Sequence, residues 1–195
     1  MLLVTAAGGM FLAAEGVPPF ALMGYVLVAG ALAAGGANAI NHQMDRDIDE
    51  VMGRTRHRPV AGHRISPAKA LAFGIFLNVL AFAIFLIWVN LLAGVLTLTA
   101  TLFYVFVYTK WLKRSTPQNI IIGGAAGAIP PMAGWAAVTG GLDLPAVYLF
   151  AIIFFWTPPH FWALALLIKK DYADAGVPML PVVTTVSHTI QQIFY

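Results

Sequence analysis

The 195-residue sequence has no cysteine. That excludes a disulfide framework and any thiolate metal site. Charge is scarce as well: Asp, Glu, Lys and Arg make up 10% of the chain, against about 25% in ordinary soluble domains. A soluble fold of this length would lack the polar surface to cover itself. Period-two alternation is missing too, which removes a membrane β-barrel. No basic residue precedes the first apolar stretch, so no secretory signal peptide is evident.

What is present is apolar. Hydrophobic residues make up 60% of the chain, and the mean hydropathy is +0.82. They gather in blocks at 1–14, 20–41, 67–88, 90–108, 119–140, 146–168 and 182–195. The inner blocks reach the roughly 18–20 residues that a helix needs to cross a hydrocarbon core. The expected fold class is all-α, a polytopic transmembrane helical bundle forming one domain over 1–195 in a lipid bilayer. The first block is short for a span and the last stops partway through an apolar stretch, so the chain reads as truncated at both ends.

All 11 Lys and Arg fall in three segments, Arg46–Lys69, Lys110–Arg114 and Lys169–Lys170. These alternate with the connections around Glu15, Asn90 and Asp143, which carry no basic residue. The pattern obeys the positive-inside rule and predicts that the basic segments are cytoplasmic, on the inner membrane if the source is bacterial. The net charge of +3 is then an orientation signal, and no nucleic-acid partner is expected. Two proline pairs, Pro130-Pro131 and Pro158-Pro159, mark expected breaks lining a cavity. Gly35, Gly36, Gly123, Gly124 and Gly127 are expected to allow close helix approach.

The chemistry concentrates at the ends of apolar blocks. Asn41, Asp45 and Asp49 are spaced i, i+4, i+8. At 3.6 residues per turn each step is about 400°, so they form one stripe. Two carboxylates so placed repel, and an unpaired carboxylate at the mouth of an apolar helix is costly. A Mg²⁺ ion answers both problems, since it takes one or two protein carboxylates and fills its other sites with water and phosphate oxygens. A plainer alternative pairs these acids with Arg46, Arg54 or Arg56 at a solvated helix end. In the segment Tyr108–Asn119, Lys113 and Arg114 can neutralise diphosphate oxygens. Ser115, Thr116 and Asn119 add hydrogen-bonding groups at the start of the next helix. A departing diphosphate needs such neutralisation, because negative charge develops on it as its bond to carbon breaks.

Three runs resemble a known family: Asn41 to Pro59 (NHQMDRDIDEVMGRTRHRP), Tyr108 to Asn119 (YTKWLKRSTPQN) and Phe155 to Pro181 (FWTPPHFWALALLIKKDYADAGVPMLP). They are similar to the UbiA superfamily of intramembrane prenyltransferases, and within it to the branch that farnesylates protoheme IX to haem O. The resemblance implies a bundle of roughly nine transmembrane helices, with about six to seven of the membrane segments present here. It implies farnesyl transfer from farnesyl diphosphate to a vinyl group of protoheme IX, and a haem A synthase as partner. By resemblance Mg²⁺ is held by Asn41, Asp45, Asp49 and Asp171, and Asp45, Asp49, Lys113 and Arg114 act in catalysis. Substrate contacts are expected from Asn41, Arg54, Arg58, Tyr108, Thr116, Asn119, His160 and Asp171. One departure stands out: four residues after Asp171 comes Ala175, so the superfamily's second D-x-x-x-D is incomplete. His160 lies within an apolar block and is expected to touch the haem, as His is the usual axial ligand of haem iron. Two rivals stay open, a prenyltransferase acting on a quinone precursor or other aromatic acceptor, and a membrane transporter.

Overall fold

A computed structural model describes residues 1–194. Tyr195, the last residue of the seventh predicted block, lies outside the described residues. Every regular element among the described residues is a helix: α1 Leu2–Ala13, α2 Phe20–Met44, α3 Arg46–Val51, α4 Pro67–Trp88, α5 Leu91–Ser115, α6 Asn119–Thr139, α7 Leu144–Leu167, α8 Lys169–Asp174, α9 Leu180–Val183 and α10 Val186–Phe194. Five of them, α2, α4, α5, α6 and α7, are long and apolar enough to cross a membrane, and α1 is a shorter apolar helix.

Local sequence sets the helix ends. Ser66 opens α4, its Oγ accepting from the Lys69 N–H at 3.4 Å, with Pro67 in the first helical position. Asn90 opens α5 by accepting from the Ala93 N–H at 2.9 Å. Its amide also donates to the Ala136 carbonyl at 2.8 Å, which ties the α4–α5 turn to α6. Gly140 closes α6 in the left-handed conformation, with φ 72°.

In a bilayer, apolar attraction between helices is weak, so close packing has to hold the bundle together. Helix α2 packs on α4, and α6 packs on α1, α5 and α7. Small residues bring backbones together. A Cβ placed on Gly9 would lie 2.2 Å from the Pro131 carbonyl oxygen, and one on Gly134 would lie 2.0 Å from that of Ala6. Gly36 and Gly74 face each other across α2 and α4 in the same way. The shared core is correspondingly built from small side chains around Met10 and Phe85: Ala29, Ala33, Ala81, Ala93, Ala136 and Ala137. Large apolar side chains such as Phe73, Phe76, Ile87 and Phe155 point outward, as a lipid-facing surface requires.

Three expectations are corrected. The fourth block does not stop at residue 108: α5 runs on to Ser115, so Lys110, Lys113 and Arg114 sit on a helix and not in a loop. Over Phe103–Leu112 this helix widens to π geometry, which re-aims its side chains. Neither proline pair breaks its helix, since α6 and α7 run through them. Neighbouring helices support both segments, and the Thr157 hydroxyl donates to the Ile153 carbonyl at 2.6 Å. Among the glycines, Gly36, Gly123 and Gly124 make close approaches, whereas Gly35 has only ordinary contact and Gly127 faces open space.

Candidate active site

The stripe survives the joint between α2 and α3. The Asp45 N–H donates to the Asn41 carbonyl and the Asp49 N–H to the Asp45 carbonyl, both at 2.8 Å. The four-residue ladder therefore continues past Met44. All three side chains are buried, with relative exposures of 4% for Asn41, 0% for Asp45 and 1% for Asp49. Two carboxylates in such a place need partners. The Lys113 ammonium meets Asp45 Oδ2 at 2.5 Å. The Asn41 amide donates to that same oxygen at 2.8 Å and to the Thr109 hydroxyl at 3.2 Å. Arg58 places Nη1 3.1 and 2.9 Å from the two Asp49 oxygens. Arg114 closes a fork on Asp47, with two bonds of 2.7 Å. Its Nη2 also donates to the Met44 carbonyl at 2.9 Å and lies 3.4 Å from Asp45 Oδ1.

Segments far apart in sequence thus meet as one charged cluster at the end of an apolar bundle. The partners of the acids are Arg58, Lys113 and Arg114, and not Arg46, Arg54 or Arg56. Two members went unread in the sequence. Thr109 is fully buried in the π-helical stretch and steadies Asn41; a lone Thr beside a basic cluster gives no signal. Asp47 lies off the stripe, and its link to Arg114 spans 67 residues. The hydrogen-bonded Arg114 fork outweighs partial burial and holds the Asp47 carboxyl down at about 2.

The other predicted residues divide. Tyr108 stacks on Tyr104 with ring centroids 5.6 Å apart, and its ring packs against Gly123. It borders a buried apolar cluster of Ile48, Met52, Ile120, Ala165, Val177 and Met179, which joins α3 to the starts and ends of α6, α7 and α9. Tyr172 packs there too; burial pushes its hydroxyl above the usual range, while Arg54 and Arg58 pull the other way. Arg54 is itself exposed. The Asp171 carboxylate faces Gly53, two residues past α3. The Asn119 amide donates to the Thr116 carbonyl at 2.6 Å, while the buried Asn119 Oδ1 has no partner among the described residues. His160, on α7, stacks on Trp156 with ring centroids 4.1 Å apart.

The donor set suits Mg²⁺. Asn41, Asp45 and Asp49 offer hard oxygen atoms, with no thiolate among them. Among the described residues no three His, Asp or Glu side chains gather as a metal cage.

The chain is similar to known proteins in sequence and in fold. The protoheme IX farnesyltransferase of Symbiobacterium thermophilum is 56% identical over 183 residues, covering 94% of this chain and 61% of its own length. That of Nostoc sp. is 53% identical over 195 residues, covering 100% of this chain and 61% of its own length. The chain therefore spans about three fifths of the length of these curated relatives. Among solved structures, a UbiA homolog from Archaeoglobus fulgidus bound to DMAPP and Mg²⁺ matches with a TM-score of 0.79 at 21% identity, over 99% of this chain and 68% of that one. A UbiA homolog from Aeropyrum pernix K1 matches with a TM-score of 0.79 at 20% identity, over 99% and 72%. These two establish the fold. The family model for UbiA prenyltransferases matches residues 2–195, and the chain belongs to the UbiA prenyltransferase family.

Proposed function

We propose that this protein transfers the farnesyl group of farnesyl diphosphate to a vinyl group of protoheme IX, making haem O and releasing diphosphate. The observation that carries the reading is the meeting of Asn41, Asp45 and Asp49 with Lys113, Arg58 and Arg114 at one end of the bundle. Relatives above 50% identity named for protoheme IX supply the acceptor. In this reading the site faces the cytoplasm, on the inner membrane of a bacterial cell; the gathering of the basic segments at one end of the helices supports the cytoplasmic side.

Asn41, Asp45 and Asp49 would hold Mg²⁺, with Asp171 contributing from beside Gly53; the ion supplies positive charge against the diphosphate oxygens. Lys113, Arg58 and Arg114 take the remaining phosphate oxygens and stabilise the charge that grows as the allylic carbon–oxygen bond breaks. Arg54, Thr116 and Asn119 stand around them as further substrate contacts. Tyr108 offers a ring face to the electron-poor farnesyl carbon. The apolar cluster of Ile48, Met52, Ile120 and Met179 keeps water away from that carbon. The protoheme vinyl attacks, forming the new carbon–carbon bond. Water then captures the resulting carbocation and loses a proton, leaving a hydroxyethylfarnesyl side chain. His160 serves as a contact for the haem.

The test incubates membranes carrying the protein with protoheme, farnesyl diphosphate and Mg²⁺, and follows the haem by mass. A product heavier by one farnesyl group and one hydroxyl group supports the assignment. Untouched haem together with prenylation of a quinone precursor would transfer it to the sister branch.

A further inference from the structure

We infer that Asp47 is a positioning residue: it holds Arg114 beside the buried Asp45 and thereby sets how tightly the site takes a Mg²⁺-bound diphosphate. The inference rests on the proposed diphosphate site and adds a residue outside the Asn41–Asp45–Asp49 stripe.

Asp47 follows Asp45 by two residues, about 200° around a helix, and its side chain is 61% exposed. It therefore points away from the stripe and is no metal donor. What it does instead is engage Arg114. Both guanidinium Nη atoms meet its two oxygens at 2.7 Å, and Nη2 is shared with the Met44 carbonyl at the end of α2. This fork pins the last turn of α5 to the α2–α3 joint. Lys113, one residue earlier on α5, is held against Asp45 by the same attachment.

The third carboxylate contact of Arg114 explains the consequence. Asp45 Oδ1 lies 3.4 Å from Arg114 Nη2, while Asp45 Oδ2 already accepts from Asn41 and Lys113. Remove the Asp47 charge, and Asp45 becomes the carboxylate within reach of Arg114. Two cations then compete with Mg²⁺ for one buried carboxylate, and Arg114 is drawn off the phosphate side. A different role is also open to Asp47: it sits in the first turn of α3, where an acidic residue favours the helix whatever Arg114 does.

A mutant cycle separates the two roles. Purified protein in detergent is titrated calorimetrically with inorganic pyrophosphate in the presence of Mg²⁺, and folding is monitored by thermal unfolding. D47N is expected to weaken binding by roughly five- to tenfold, and D47E to stay within about twofold of wild type. R114K keeps the charge but loses the fork, and should reproduce the D47N loss. On an R114Q background, D47N should change binding by less than about twofold. Wild-type affinity in D47N overturns the inference. An equal loss with and without Arg114 also overturns it, in favour of the helix-end role. Failure of the wild-type protein to bind pyrophosphate would remove the diphosphate reading itself, and the role of Asp47 with it.

Discussion

Arg58→Gln should destabilise the protein by more than its surface position suggests. Arg58 meets both oxygens of Asp49 at 2.9 and 3.1 Å, and Asp49 is 1% exposed. Removing the arginine strands a carboxylate at the mouth of an apolar bundle. Breaking a fully buried pair costs about 3–5 kcal/mol. The Arg58 side chain keeps 29% exposure, and solvent screening lowers the expectation to about 2–3 kcal/mol. At about 2–4 °C per kcal/mol, the midpoint of unfolding should fall by about 4–12 °C. Thermal unfolding in detergent, followed by far-UV circular dichroism, reads this directly. The double variant D49N/R58Q, which removes the stranded charge, should regain most of the loss. A midpoint within about 1 °C of wild type, or a double variant no better than R58Q, would refute this reasoning.

Other consequences follow from particular contacts. Gly134→Ala puts a Cβ 2.0 Å from the Ala6 backbone oxygen, forcing α1 and α6 apart at a cost of about 1–3 kcal/mol. Gly127→Ala meets nothing within 4 Å among the described residues and should be neutral or slightly stabilising; their melting temperatures compared side by side check both. The Asp47 carboxyl is lowered from 3.8 to about 2. Its pairing with Arg114 therefore adds stability that is fully present above pH 3.8 and lost as pH falls through about 2. The stability gap between wild type and D47N should stay flat at neutral pH and close in strong acid. His160→Ala should weaken protoheme binding measured by absorbance titration, and unchanged affinity would remove His160 from the haem site.

The parts of the site that were legible in the sequence are those set by local geometry. Asn41, Asp45 and Asp49 could be placed on one stripe because helical spacing alone decides it, and the hydrogen-bond ladder through Asp45 keeps that spacing. Their partners could not be assigned that way. Arg46, Arg54 and Arg56 are near in sequence, yet Lys113 and Arg114 reach the acids across about 68 residues because α5 comes back beside α2. The extension of α5 to Ser115 was missed because polar residues end an apolar run without ending a helix. The proline pairs misled for a related reason: packing by neighbouring helices supports a prolyl turn that local propensity alone would break. Gly9 and Gly134 carry no mark in the sequence, since only the meeting of α1 with α6 shows what their missing side chains permit.

The central claim is that the buried acidic stripe grips a Mg²⁺-bound diphosphate. Its most direct test is the binding of farnesyl diphosphate to the purified protein, with and without Mg²⁺, for wild type, Asp45→Ala and Asp49→Ala. The account predicts tight binding only with Mg²⁺, and a loss of at least about a hundredfold in each variant, near 3 kcal/mol. Wild-type affinity in either variant, or binding that ignores Mg²⁺, would contradict it.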